Sequence, residues 1–349
     1  MVGKTLKQVS TLCGALLLVA AVITAAGQDQ PTRIGVIDFY GYAGLNVDQI
    51  RSRLTIKEGD AFSNPGALTD AVNKVVKSIT GRPATDVEPV CCDPQGNWMI
   101  YVGLPGTSIV PAKSNAVPKA TSHFTPDIVK LYDQTMEASS AAILKGSSSE
   151  DHSQGFAVTS EPALRAKQLE VRTYASAHDK VILQVLNSSS DATQRAVAAF
   201  MLGYARQSQQ QISALVHASH DADDAVRNNA TRALAVLADS NPQVAARIPA
   251  TGFIRMLSSP SWTDRNKAGF LLMYLTRTRD LKLLHEIQSR ALTPLIEIAR
   301  WKDRGHALSA RILLGRIAGI PDERLVGLAN ADNPEEIIKE LKLKSQSRE

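Results

Sequence analysis

Cysteine is nearly absent from this chain of 349 residues, which holds three. One of them, Cys13, stands in the amino-terminal stretch and lacks the small residue before it that a lipid-attachment site needs. The other two, Cys91 and Cys92, are neighbours with no His nearby in sequence, so a Cys/His metal site has no ligand set there. Long apolar runs are missing too. The longest, from Leu12 to Thr24, is too short for a comfortable membrane span. There is no run of Lys and Arg along one helix face, and Asp and Glu interleave throughout, which argues against nucleic acid as a partner. The formal charge of +5 falls to +3 once Lys4 and Lys7 are set aside. Motifs with a catalytic mechanism behind them are also lacking: no Gly-x-Ser-x-Gly elbow, no Gly-rich phosphate loop before a Lys, no His-Glu-x-x-His helix.

What is present begins with an address. Lys4 and Lys7, the apolar run and the exit Ala25-Ala26-Gly27 compose a secretory signal peptide over residues 1–27. The mature chain then starts near Gln28, in the periplasm or outside the cell; the alternative is an uncleaved amino-terminal membrane anchor. In that oxidising setting Cys91 and Cys92 read either as two strand residues pointing to opposite faces or as a vicinal disulfide.

From Arg33 to Leu104 the pattern is strand, helix, helix, strand, strand. Ile34 to Phe39 is β-rich. Asn46 caps a helix carrying Val47, Ile50 and Leu54, and Asn64-Pro65 opens a second with Leu68, Val72, Val75, Val76 and Ile79 on its buried side. Val87 to Cys92 and Trp98 to Leu104 flank Asp93-Pro94-Gln95-Gly96-Asn97, which has hairpin-turn chemistry. Residues 106–125, with Pro111 and Pro118, read as a semi-extended linker. Gly146 to Gly155 reads as a polar, solvated loop.

Beyond it, an Ala followed four residues later by a Leu recurs four times inside apolar helical runs: Ala198 and Leu202, Ala230 and Leu234, Ala268 and Leu272, Ala310 and Leu314. The spacings are 32, 38 and 42 residues, the period of stacked helix pairs, none of which can bury its own apolar face. The longer last spacing points to an insertion or a longer first helix there. Small residues let neighbouring helices approach, and the Leu positions fill the shared core.

Two resemblances follow from these residues. Gly41, Leu45 to Leu54 and Ile56-Lys57-Glu58-Gly59-Asp60-Ala61-Phe62-Ser63 resemble the POTRA domain, a polypeptide-transport-associated module. The resemblance implies a β-α-α-β-β fold over 31–105, a membrane-proximal location and a sheet edge that pairs with incoming strands. Asp191 with Arg195, Asp224 with Arg227, Asp264 with Arg265 and, more loosely, Asp303 with Arg304 resemble HEAT repeats. That resemblance implies an α-solenoid over 126–345 whose second helices line a concave face.

Candidate sites are few. Arg195, Arg227 and Arg265 could form a ridge gripping an acidic partner, or pair with an acid of the next repeat. His217 and His220 stand three apart like metal ligands, yet read as a helix end beside capping acids. His285-Glu286 is the other stretch near metal spacing, and Glu150-Asp151-His152 is either a small polar cluster or a solvated loop. The expectation is a non-enzymatic, exported scaffold that binds a protein or peptide on the repeat surface, without cofactor or metal. The alternatives are an envelope assembly factor acting by strand pairing and a HEAT-like lyase or hydrolase.

Overall fold

The computed structural model describes residues 33–62, 64–110, 113–147 and 149–346. The signal-peptide reading of 1–27 and Cys13 lie outside them. Among the described residues the chain is mostly helical, with fifteen helices and a small three-stranded sheet. Its contacts gather into two compact units, each built from separated stretches of chain. One, the helical unit, holds Ala112–Phe253 and Lys267–Thr278; the other, the sheet unit, holds the stretch ending at Pro111 together with Ile254–Asn266 and Arg279–Glu349. This division differs from a free-standing module at 31–105 ahead of one helical domain at 126–345.

The sheet unit shows why. It opens with β1 (Ile34–Tyr40), α1 (Val47–Arg53), α2 (Pro65–Thr80), β2 (Asp86–Cys91) and β3 (Trp98–Gly103), in sheet order β1-β3-β2 with β1 parallel and β2 antiparallel to β3. Asn46 accepts from the Gln49 N–H to cap α1, and Asn64 accepts from Gly66 and Ala67 to cap α2. Gly81 closes α2 in the left-handed region. In the hairpin turn Asp93 Oδ1 accepts from the N–H groups of Gln95 and Asn97. One sheet face, with Ile37, Phe39, Ile100 and Val102, packs under Ile50 and Leu54 of α1 and Leu68, Val72 and Val76 of α2.

The opposite face carries Asp38, Tyr40, Met99 and Tyr101, and it is just as buried. Tyr101 stacks on Trp262, with ring centroids 4.9 Å apart, and lies equally close to Trp301. Trp262 opens α11 (Trp262–Leu275); Trp301 sits between α12 (Leu281–Ala299) and α13 (Arg304–Ala318). The sheet is thus a middle layer, and burial on both faces explains why β3 is an unbroken apolar run. α14 (Asp322–Ala329) and α15 (Glu335–Gln346) complete this unit, α15 packing on α13.

The helical unit contains α3 (Pro126–Leu144), a short hairpin β4 (Glu150–Asp151) with β5 (Val158–Thr159), α4 (Pro162–Ala177), α5 (Asp179–Ser188), α6 (Ala192–Leu202), α7 (Gln209–Ala218), α8 (Asp224–Ser240) and α9 (Pro242–Ala245). α10 (Thr251–Met256) follows, and the boundary between units falls inside it and again inside α11. The four recurring Ala residues are completely buried, and their Leu partners on α6, α8, α11 and α13 are at most 1% exposed. The extra length before the last Ala/Leu recurrence falls in α12, 19 residues long and non-helical at Ala291, against 10 for α5 and for α7.

The described residues between 106 and 125 are not a free tether. In the sheet unit Gly106 and Thr107 donate their N–H groups to the carbonyls of Gly41 and Ala43, and Val110 to Ser258. In the helical unit Asn115 donates to His220, Ala120 to Ser188, and Phe124 to the Gln194 side chain. Backbone groups satisfied in this way belong to the folded units, each to its own.

Candidate functional site

The three arginines of the expected ridge turn inward. Arg195 Nη1 donates to the carbonyls of Ser189 and Ser190, six and five residues back, and Arg227 Nη1 does the same to Asp221 and Ala222. Arg265 Nε donates to Ser259, again six back. Each arginine therefore braces the turn that leads into its own helix. Arg195 also forms a two-pronged pair with Asp221 at 2.8 Å, and Arg265 faces Glu297 at 3.4 Å. Arg195 and Arg265 are at most 1% exposed, so they offer nothing to an outside partner and the ridge reading fails for them. Arg227 is half-buried.

Cys91 and Cys92 are joined as a vicinal disulfide. The histidines with metal-like spacing go separate ways. His217 meets the Asn115 amide at 3.4 Å, while His220 Nδ1 lies 3.0 Å from the Val216 carbonyl. Glu286 faces Arg290 at 3.2 Å. Among the described residues no three His, Cys, Asp or Glu side chains gather as metal ligands.

The Glu150–His152 stretch is not a solvated loop. Glu150 and His152 are 7% and 6% exposed, because the β4–β5 hairpin lies against Arg232 and Asp239 of α8. His152 Nδ1 is 2.8 Å from Asp239 Oδ2, and its Nε2 is 3.5 Å from Glu150 Oε2. Arg232 donates to both Glu150 oxygens, at 2.7 and 2.6 Å, and Arg277 pairs with Asp239. Burial alone would depress the His152 pKa, but the hydrogen bond to Asp239 and the nearby Glu150 carboxylate outweigh it and push the value up to about 9. Glu150 and Asp239 are buried as well, yet Arg232 and His152 hold the first, and His152 and Arg277 the second, below the ordinary carboxylate range. Lys267 is 3% exposed, and burial, reinforced by repulsion from Arg232, lowers its pKa to about 7.

This cluster is an electrostatic clasp. Phe156, Ala157 and Val158 follow it into the core, and the Arg172 guanidinium sits 4.7 Å over the Phe156 ring. Under the hairpin, beside Phe200, Gly203, Tyr204 and Arg232, only about 10 Å³ is left, room for roughly one water. α3 covers α6 as well, with Tyr132 and Phe200 rings 5.2 Å apart. In this unit the face of α6 and α8 expected to be an open groove is therefore occupied by the chain itself.

The outward side offers a different feature. Gln207, Ser208, Gln211, Ile212, Leu237, Asn241, Val244 and Arg247 line a cavity of about 140 Å³. Its floor is Ile212, Leu237 and Val244, all nearly fully buried, and its rim is uncharged apart from Arg247. Ser208 caps α7 by accepting from the Gln211 N–H, and Asn241 caps α9 through Gln243. Arg247 is exposed and makes no ion pair among the described residues.

The sheet edges are guarded. On β1, the Ile37 N–H is taken by Glu58 Oε1 and its carbonyl by Arg51, while Trp301 Nε1 donates to the Phe39 carbonyl. The Gly41 N–H beyond the strand goes to Glu297. On β2, Pro89 interrupts the row of donors.

No known protein family matches this chain, and no curated protein does. A search of solved structures finds similarity to the crystal structure of an engineered protein from the Northeast Structural Genomics Consortium. The two share 17% identity, with 62% of this chain and 94% of that one covered, at a TM-score of 0.37, too low to carry an argument about fold or function.

Proposed function

We infer that this chain is an exported, non-enzymatic interaction protein, HEAT-like in its helices and POTRA-like in its sheet module, that binds a protein or peptide at the α7–α9 cleft. The cleft carries the reading: a hollow over apolar side chains, ringed by amides and by one guanidinium that pairs with no acid among the described residues, resembles a recognition pocket more than a reaction centre. The ionisable groups with strongly shifted pKa values near the clasp are buried and committed to one another, which fits a role in holding the fold. The disulfide between Cys91 and Cys92 fits an oxidising compartment, and the guarded sheet edges weigh against strand pairing.

The experiment places a photo-crosslinking residue at Gln207, inside the cleft, and at Gln288, on a helix of the sheet unit. Irradiation of cell envelopes should yield one stoichiometric adduct from the Gln207 position alone. Equal adducts from both positions, or turnover of a small molecule by the purified protein, overturns the reading. The same material tests export: intact mass should place the amino terminus between Ala26 and Asp29, and retention of Met1 refutes cleavage.

A further inference from the structure

Cys91 ends β2, and the disulfide joins it to the very next residue. A disulfide stabilises a protein chiefly by closing a loop in the unfolded chain, and the gain grows with the length enclosed. Neighbours enclose nothing, so this bond holds no separate parts of the fold together. The sheet and its turn are secured by other means. β2 pairs with β3 along its whole length, from Asp86 opposite Gly103 to Cys91 opposite Trp98. In the turn beyond, the Asp93 N–H donates to the Asn97 carbonyl, and Asp93 Oδ1 accepts from the N–H groups of Gln95 and Asn97. The Trp98 N–H donates to the Arg33 carbonyl. Gly35 lets the turn rest on β1, since a side chain there would collide with the Asp93 carboxylate.

A bond that staples nothing is left with its chemistry, and its placement suits that chemistry. β2 is an edge strand, bonded to β3 on one side only. Both cysteines are partly exposed, and Pro94, Gln95 and Gly96 just beyond them lie on the surface. There is no third cysteine among the described residues, so an opened pair finds no other thiol there and either closes again or reacts outward.

We propose that Cys91 and Cys92 form a reversible two-electron redox site whose co-reactant is a dithiol. One thiolate of the dithiol attacks a cysteine sulfur, forming a mixed disulfide and releasing the other cysteine as a thiolate. The second thiol of the dithiol then attacks the mixed disulfide. Two electrons and two protons pass to Cys91 and Cys92, and the dithiol leaves as its own disulfide. A single thiol does this less well, because the mixed disulfide it makes stands one residue from a thiolate able to expel it. The fold persists in both states, since the hydrogen bonds of the turn do not run through sulfur.

The test uses the full chain, purified without reductant and then exposed to dithiothreitol, to glutathione at the same thiol concentration, or to micromolar reduced thioredoxin. Acid quenching, iodoacetamide labelling and peptide mass spectrometry count the free thiols at Cys91 and Cys92. Neither should be labelled in the untreated protein. Dithiothreitol should free both in the folded protein, at a rate within about tenfold of that in urea, and glutathione should leave most of the pair closed. The reduced protein should melt at the same temperature as the untreated one. Reduction by micromolar thioredoxin assigns the co-reactant as a protein dithiol, and reduction by dithiothreitol alone assigns it as a small molecule. Labelling before any reductant, reduction only in urea, equal reduction by glutathione, or a lower melting temperature after reduction overturns the proposal.

Discussion

His152 and Lys267 share one buried cluster and titrate in opposite senses. His152 has a folded-state value of about 9 against an ordinary 6.5, so the folded protein holds its proton more tightly. Its stabilising contribution is complete below pH 6.5 and is lost as pH rises toward 9. Lys267, at about 7 against an ordinary 10.5, is the reverse: the unfolded chain holds its proton more tightly, and stability rises from pH 7 toward 10.5. Each slope approaches about 1.4 kcal/mol per pH unit where the window is fully open. Between pH 7 and 9 the two largely cancel, so the parent's denaturation midpoint should change little. His152→Gln should turn that flat profile into a rise with pH, and Lys267→Met into a fall. Urea titrations at half-unit steps check both signs, and matching profiles in the two variants would show that the residues do not share a cluster.

Among the elements, α8 shows how a buried helix is held. Asp223 caps it, Arg227 braces the turn before it, and its small side chains let α6 and α7 close in. Leu234, completely buried on α8, should cost about 2–5 kcal/mol when cut to Ala, because the neighbouring helices cannot collapse into the gap. Leu281, 78% exposed at the start of α12, is the control: Leu281→Ala should leave the melting temperature unchanged. Equal melting of the Leu234 variant and the parent would mean the helix is not packed as described. The β4–β5 hairpin teaches the complementary lesson, since its four strand residues stay in place through a charge clasp more than through a ladder.

For the molecule as a whole, the unit built around the sheet is assembled from chain segments more than 200 residues apart. Glu297 of α12 accepts from the N–H groups of Gly41 and Ala43 and from the Ser108 hydroxyl, and Tyr40 donates to Asp86 and to the Pro260 carbonyl. A fragment of residues 33–105 would bare Tyr40, Met99 and Tyr101 to water. It should therefore fail to fold alone, despite having a complete strand–helix–helix–strand–strand order. Amide spectra of the fragment should be collapsed and dye-binding; a dispersed spectrum with a cooperative melt would show that α1 and α2 suffice. Native proteolysis should likewise cut slowly at 106–110 and 115–124, because Gly106, Thr107, Val110, Asn115, Ala120 and Phe124 spend their N–H groups on the folded units.

Sequence alone determined what depends on neighbours along the chain. Asn46 and Asn64-Pro65 announce helix starts, Asp93 to Gly96 announces a turn, and the Ala and Leu recurrences announce buried helix positions, because caps, turns and helical periods act within about four residues. Tertiary structure decided everything that depends on separated groups. No local signal says that Glu150 and His152 will meet Arg232 and Asp239, more than 80 residues on, and composition made the stretch look like a wet loop. The second face of the sheet did leave a trace, the unbroken apolar run from Trp98 to Leu104, which is what burial on both sides requires. The cleft left none, because its rim comes from the ends of three helices that meet only on folding.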